Sequence, residues 1–116
     1  MTLTPGQVGN LGQVFPGNSL TTMVTGTSPA GPDTPGGNDV STLHICNQAG
    51  APDTITVAII PSGGSLVSAS YLLKGFSLAA NGFQQLTGIV LGPGDVLKVQ
   101  SANNTSSFNA FGSVNV

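Results

Sequence analysis

Charge is the scarcest property of this 116-residue sequence. It contains no Arg, no Glu and no Trp, and charged residues make up 5% of it, against roughly 25% in an average soluble domain. Nucleic-acid binding needs clustered Lys or Arg to replace counterions, and two separated lysines do not supply it. A basic helix on a membrane surface is excluded for the same reason. We therefore expect neither nucleic acid nor membrane as a partner. The charged residues are Lys74, Lys98, Asp33, Asp39, Asp53 and Asp95.

Cysteine and long apolar runs are also scarce. The single cysteine, Cys46, excludes a disulfide framework within the chain. No apolar run approaches the roughly 18–20 residues that span a bilayer. The first ten residues, MTLTPGQVGN, lack the basic and apolar regions of a signal peptide. We expect a chain made in a cytoplasm, and its length predicts one domain.

Alternation of apolar and polar residues is the main structural signal. In VSTLHICN, Leu43 and Ile45 alternate with His44 and Cys46, which is typical of a half-buried strand. Four segments alternate in this way and three more are less regular but β-like, and Gly, Pro and Asn turn signals separate all seven. Gly75 indicates a bulge or a close approach in one of them. The pattern predicts an all-β fold, an antiparallel, jelly-roll-like β-sandwich of about seven to eight strands. The predicted strands lie in SLTTMVTG, VSTLHICN, DTITVAII, YLLKGFSL, GFQQLTGIVL, DVLKVQSA and SSFNAFGSVNV.

The first nineteen residues differ from the rest. Val8, Leu11, Val14 and Phe15 stand isolated among Gly, Gln, Asn and Pro, so the segment does not form a core strand by itself. We predict an extended N-terminal arm over residues 1–19, which either becomes ordered on a neighbouring molecule or frays. The β-sandwich domain is expected over residues 20–116.

The stretch PAGPDTPGGND, Pro29 to Asp39, is incompatible with a helix or a central strand. Its prolines, Pro29, Pro32 and Pro35, leave little conformational entropy to lose on binding. One interpretation is a loop that contacts a neighbouring subunit together with the arm. The alternative is a disordered surface loop.

Candidates for catalysis are few. His44 and Cys46 are two residues apart on one predicted strand, so their side chains share a face. A zinc site needs three or four ligands, and the other candidates are scattered aspartates, which are common in turns. We therefore predict no catalytic residue, no metal and no cofactor. Two alternatives remain: zinc at His44 and Cys46, and calcium held by Asp33, Asp39 and loop carbonyls.

A surface rich in Ser, Thr, Asn, Gln and Gly suits assembly. Few charges need to be desolvated when another protein covers it. Low net charge also keeps repulsion between identical copies small. A chain with this composition is expected to belong to a larger assembly.

The segment from Leu43 onward resembles small β-sandwich virion proteins of tailed bacteriophages. The resemblance rests on an HICN unit, a TVAIIPSGG strand, a YLL segment and LTGIVLGPGDVLKVQSA, in that order. It implies a virion structural role without catalytic residues, either as a capsid decoration (cement) protein or as a tail or fibre component. The matching residues are His44 to Asn47, Thr56 to Gly64, Tyr71 to Leu73 and Leu86 to Ala102.

The leading hypothesis is decoration of a phage capsid, with the major capsid protein as partner. The protein would bridge neighbouring shell subunits and stabilise the shell. A homotrimer is expected because capsid surfaces present local threefold positions. A carbohydrate-binding module is the alternative from a different class, although the sequence has one Tyr and five Phe as its only aromatic residues. The predicted partner-binding residues are Val8, Leu11, Val14, Phe15, Pro29, Pro32 and Pro35.

Overall fold

All seven segments predicted as strands form strands in a computed structural model of the chain, which describes residues 8–29 and 36–114. An eighth strand, β1, precedes them, and one 3₁₀ turn, Ser68–Ser70, lies before β5. The strands are β1 Val8–Val14, β2 Thr21–Thr25, β3 Asn38–Asn47, β4 Asp53–Ile60, β5 Tyr71–Leu78, β6 Phe83–Leu91, β7 Val96–Ser101 and β8 Ser106–Val114.

The strands form two four-stranded antiparallel sheets, ordered β1-β8-β3-β6 and β2-β7-β4-β5. Every connection except β4–β5 passes from one sheet to the other, and the resulting order is that of a jelly roll. The all-β sandwich, predicted with about seven to eight strands, is confirmed with eight. We call the sheets the first and the second in that order.

The core lies between the sheets and follows the predicted alternation. Leu43 and Ile45 of β3 are fully buried, and so is Phe108 of β8. Burying one such side chain stabilises the fold by roughly 1.5–3 kcal/mol. The other fully buried apolar residues include Val40, Ile55, Val57, Leu97, Val99 and Ala110.

The N-terminal segment differs from its prediction where the structure describes it. Residues 8–14 form β1, which pairs antiparallel with β8 from Val8↔Ser113 to Val14↔Phe108. Leu11 and Val14 pack against the core cluster. The ladder with β8 gives these sparse apolar residues the support they lack in isolation. The segment predicted as an arm is therefore, over residues 8–14, an edge strand of the sandwich, and residues 1–7 lie outside the described part.

Of the two alternatives for Gly75, a bulge or a close approach, the structure shows the bulge. The register between β4 and β5 shifts by one residue between the pairs Ile55↔Phe76 and Val57↔Leu73. Gly75 has a φ of 66°, a left-handed conformation that costs glycine little because it has no Cβ. The extra residue bends β5 at the edge of the second sheet.

Among the described residues, no helix is long and apolar enough to cross a membrane.

Candidate interaction surface

The outer surface of the first sheet is a candidate interaction surface. Side chains alternate along its strands, and those opposite the core-facing residues point away from the second sheet. We call this surface the front face. It includes Val8, Asn10, Gln13, Asp39, His44, Cys46, Phe83, Gln85, Thr87, Val90, Asn109 and Phe111.

Large apolar side chains are exposed on the front face. The exposed fractions are 76% for Val8, 64% for Phe83, 66% for Val90 and 42% for Phe111. These residues come from three of the four strands, so apolar surface is distributed across the sheet. Four of the eight large apolar side chains that are exposed in the described part of the chain lie on this face, and exposed apolar surface marks an interaction site where it forms a contiguous patch.

Polar side chains on the same surface are already paired with one another. The side-chain amide of Gln13 donates to Asn109 Oδ1 at 2.8 Å, and Asn10 Nδ2 lies 3.5 Å from the same oxygen. The ring of Phe83 stacks on His44 with centroids 5.5 Å apart. Side chains held in this way lose less conformational entropy when a partner binds.

The charges are distributed unequally between the sheets. Lys98 lies on β7 between the core residues Leu97 and Val99 and so points outward from the second sheet. Lys74 lies on β5, with Nζ 4.8 Å from the centroid of the Tyr71 ring. Among the front-face residues described, Asp39 is the only charged one, and it lies at one end of β3. A partner can therefore cover the front face without desolvating a lysine.

The structure separates the predicted arm residues into two pairs. Val8 and Phe15 are exposed, Phe15 by 50%, and both are accessible to a partner. Leu11 and Val14 pack against the core instead, so their apolar surface is already used within the chain. Sequence alone did not separate the pairs, because the bulge between Asn10 and Gly12 changes which side chains point inward.

The Pro/Gly loop is anchored at its base. The backbone N–H and the hydroxyl of Thr27 both donate to Asn38 Oδ1 at 2.8 Å, and Gly37 N–H donates to the Thr27 carbonyl at 2.7 Å. Pro29 is exposed, whereas Pro32 and Pro35 lie outside the described residues. The anchored base brings the two ends of the loop together beside β2 and β3.

His44 and Cys46 both lie on the front face, as the alternation predicted. His44 contributes its ring to the stack with Phe83. Within residues 8–29 and 36–114, no group of three or more His, Cys, Asp or Glu side chains could hold a metal ion. Asp33, named in the calcium alternative, is outside these ranges.

One end of the sandwich contains a buried carboxylate, Asp53, at a position where the sequence predicted a turn residue. Asp53 is 1% exposed and accepts four hydrogen bonds. The Ser101 and Ser106 hydroxyls donate to Oδ2, and the Thr54 and Asn103 amides donate to Oδ1 at 2.8 and 2.9 Å. Burial by itself raises the pKa of Asp53, but these donors outweigh it and hold the pKa below its ordinary 3.8.

Asn47 extends the polar cluster at this end. Its side-chain amide donates to the carbonyls of Ala51 at 2.8 Å and Ala79 at 3.2 Å, while its Oδ1 accepts from the Thr105 hydroxyl at 2.9 Å. Every buried side-chain polar atom in the described part has a partner. The cluster joins β3, β4, β7 and β8 and has a structural role. Two sequence features hint at this cluster: Asp53 is the first residue of a strand, and Ser101 and Ser106 stand on either side of a turn.

Comparison of the chain with protein-family models, with curated protein sequences and with solved structures finds no match.

Proposed function

We propose that this chain is a capsid decoration protein of a tailed bacteriophage. It would bind the outer surface of the shell and bridge neighbouring major capsid subunits, so that the shell resists expansion and rupture. The observation that supports this most is the front face, which combines exposed apolar side chains with paired amides and lacks lysine. The sequence resemblance to phage virion proteins points in the same direction.

The physical basis is the low cost of covering such a face. Charged groups are expensive to remove from water, whereas apolar surface gains about 25 cal/mol per Å² when it is buried. A stable interface buries about 800 Å² per partner. Many weak sites acting together on one particle give avidity without any strong single contact. Passive bridging of this kind needs no reaction and no cofactor.

The proposed arrangement places three copies around a local threefold position of the shell. The chain would be made in the host cytoplasm and become part of the virion surface during assembly. Of the predicted contact residues that the structure describes, Val8 at the start of β1, Phe15 directly after its end and Pro29 at the base of the Pro/Gly loop are exposed. We assign these three residues to the rim of the contact and the rest of the front face to its centre.

A matched pair of substitutions tests this proposal. Phe111 on the front face and Leu72 on β5 are almost equally exposed, at 42% and 44%. Phe111→Asp is expected to weaken binding to undecorated particles at least tenfold, about 1.4 kcal/mol or more, because a carboxylate would be buried without a partner. Leu72→Asp is expected to bind like the wild type. Co-sedimentation measures binding, and circular dichroism checks the fold. Equal binding by both folded variants contradicts the proposal.

Carbohydrate binding is the second candidate, and one observation favours it. Phe83 is 64% exposed, its ring stacks on His44, and the exposed Gln85 lies two residues further along β6, an arrangement that allows a sugar to stack and hydrogen-bond. Jelly rolls occur in lectin domains as well as in viral capsids, although fold alone does not establish function. A glycan-binding screen with a hit that Phe83→Ala abolishes would favour this candidate, or a tail-fibre role, over capsid decoration.

A further inference from the structure

The free edge of β6 differs from the other three sheet edges. The edge strands are β1 and β6 in the first sheet and β2 and β5 in the second. The ladders of β1, β2 and β5 each contain a register shift. The ladder of β6 with β3 contains none from Cys46↔Phe83 to Asn38↔Leu91. Bulges, prolines and charged residues are the usual means of preventing an edge from pairing with another chain.

β6 also lacks the other two protections. Its nine residues, FQQLTGIVL, include no charge and no proline, whereas β5 carries Lys74. Among the described strands, only β3 pairs with β6. As far as the described residues go, one side of the β6 backbone is available for strand addition.

The regular part of this edge ends at Gly88. Phe83, Gln85 and Thr87 are exposed, but the next buried residue is Ile89 and the next exposed one is Val90, so the alternation changes phase. Gly88 has a φ of 73°, which accounts for the change. Residues 83–87 thus form a uniform five-residue edge with Gln85 at its midpoint.

We propose that this edge pairs antiparallel with the same edge of a second copy, across a twofold axis at Gln85. In that register Phe83 lies opposite Thr87, Gln84 opposite Leu86, and Gln85 opposite Gln85 of the second copy. The first sheets of the two molecules become one continuous eight-stranded sheet, and their front faces become one surface.

The side chains of the edge favour a second copy as the occupant. A twofold contact places each residue type against itself or a fixed partner, and an edge without charge meets no like-charge repulsion there. The aromatic and β-branched pair Phe83–Thr87 is favourable across antiparallel strands. The stack on His44 at 5.5 Å already orients the Phe83 ring, and the two Gln85 amides can hydrogen-bond to each other.

This contact does not depend on capsid decoration. It relates two chains by a twofold axis, whereas the decoration proposal invokes a threefold position. It is measured on the purified protein without particles, so either proposal can fail while the other stands.

Disulfide trapping tests the register. Directly opposed residues have Cα atoms about 4.5–5.5 Å apart, within the 4.4–6.8 Å range of a disulfide. In a Cys46→Ser background, Gln85→Cys is expected to form a covalent dimer under mild oxidation at least tenfold faster than Gln13→Cys. Gln13 is a matched control because it is an exposed glutamine on the opposite edge strand, β1. Equal rates for the two variants overturn the proposal.

A charge at the axis provides the second test. Gln85→Lys places two ammonium groups opposite each other and is expected to raise the dimer dissociation constant, measured by analytical ultracentrifugation, at least tenfold. Gln13→Lys is expected to leave it unchanged. Thermal unfolding checks that both variants fold. A wild-type protein that stays monomeric up to millimolar concentration, or a Gln85→Lys variant that dimerises as the wild type does, overturns the proposal.

Discussion

Phe83 of β6 stacks on His44 of β3, with ring centroids 5.5 Å apart and ring planes 12° apart. The pair lies near one end of the front face, where β6 is the edge strand. His44 therefore has a packing partner on the surface. Phe83 is held in place while its outer side remains exposed, and it takes part in the decoration, carbohydrate and strand-pairing proposals alike.

The first prediction separates the surface role of Phe83 from a stability role. Phe83→Ala is expected to lower the free energy of unfolding by less than about 1 kcal/mol, because most of the ring is exposed. The same substitution at Phe108, which is fully buried, is expected to cost about 3–5 kcal/mol. Urea denaturation measures both. Similar losses for the two variants would show that Phe83 supports the core.

The second prediction concerns acid stability. The pKa of Asp53 is below 3.8 in the folded chain and returns to its ordinary value on unfolding. Its contribution to stability is therefore fully present above pH 3.8 and is lost as the pH falls through the folded-state pKa. Asp53→Asn is expected to cost about 2–3 kcal/mol at neutral pH, because charge-assisted hydrogen bonds are lost.

Denaturation over a pH series checks this assignment, with Asp39→Asn as the control because Asp39 is exposed. The stability difference between the wild type and Asp53→Asn is expected to shrink below pH 3.8. A difference that stays constant with pH would mean that Asp53 does not act through its charge.

The third prediction concerns a close approach of two strands. A Cβ added to Gly112 of β8 would overlap the carbonyl oxygen of Asp39 on β3. Gly112→Ala must displace the ladder and is expected to destabilise the fold by about 2–3 kcal/mol. At Gly50 nothing lies within 4 Å of the added Cβ, so Gly50→Ala is expected to change stability by less than about 0.5 kcal/mol. Thermal denaturation of both variants measures the contrast, which equal stabilities would refute.

The fourth prediction separates two neighbouring residues of the predicted arm. Val14 packs against the core, so Val14→Ala is expected to cost about 1–2 kcal/mol. Phe15 is 50% exposed, so Phe15→Ala is expected to weaken particle binding and leave the fold intact. Urea denaturation and co-sedimentation measure the two effects. Loss of folding in Phe15→Ala would assign this residue to the core.

Sequence predicted the strands well because their signal is local. In β3 and β7 the inward residues alternate with polar ones, so Leu43, Ile45, Leu97 and Val99 could be assigned to the core, and all four are fully buried. β1 was missed as a strand because Gly, Asn and Gln dilute its apolar residues. Its stability comes from pairing with β8, almost a hundred residues away in the sequence. The amino-acid composition of β1 gives no indication of a contact with residues so distant in the sequence.

The surface was less predictable than the core. Which strands lie at the edges depends on the pairing of strands distant in sequence, so the regular edge of β6 and the separation of the lysines from the front face emerged only with the topology. The burial of Asp53 was missed for a related reason. An aspartate at the start of a strand is usually a solvated turn residue, and here its donors come from Ser101 and Ser106 on other strands.

The most direct test of capsid decoration is the abundance of this chain in purified phage particles, measured by quantitative mass spectrometry against the major shell protein. The account predicts about one copy per shell subunit. A few copies per particle would indicate a tail or vertex component, and absence from the particles would contradict a virion role.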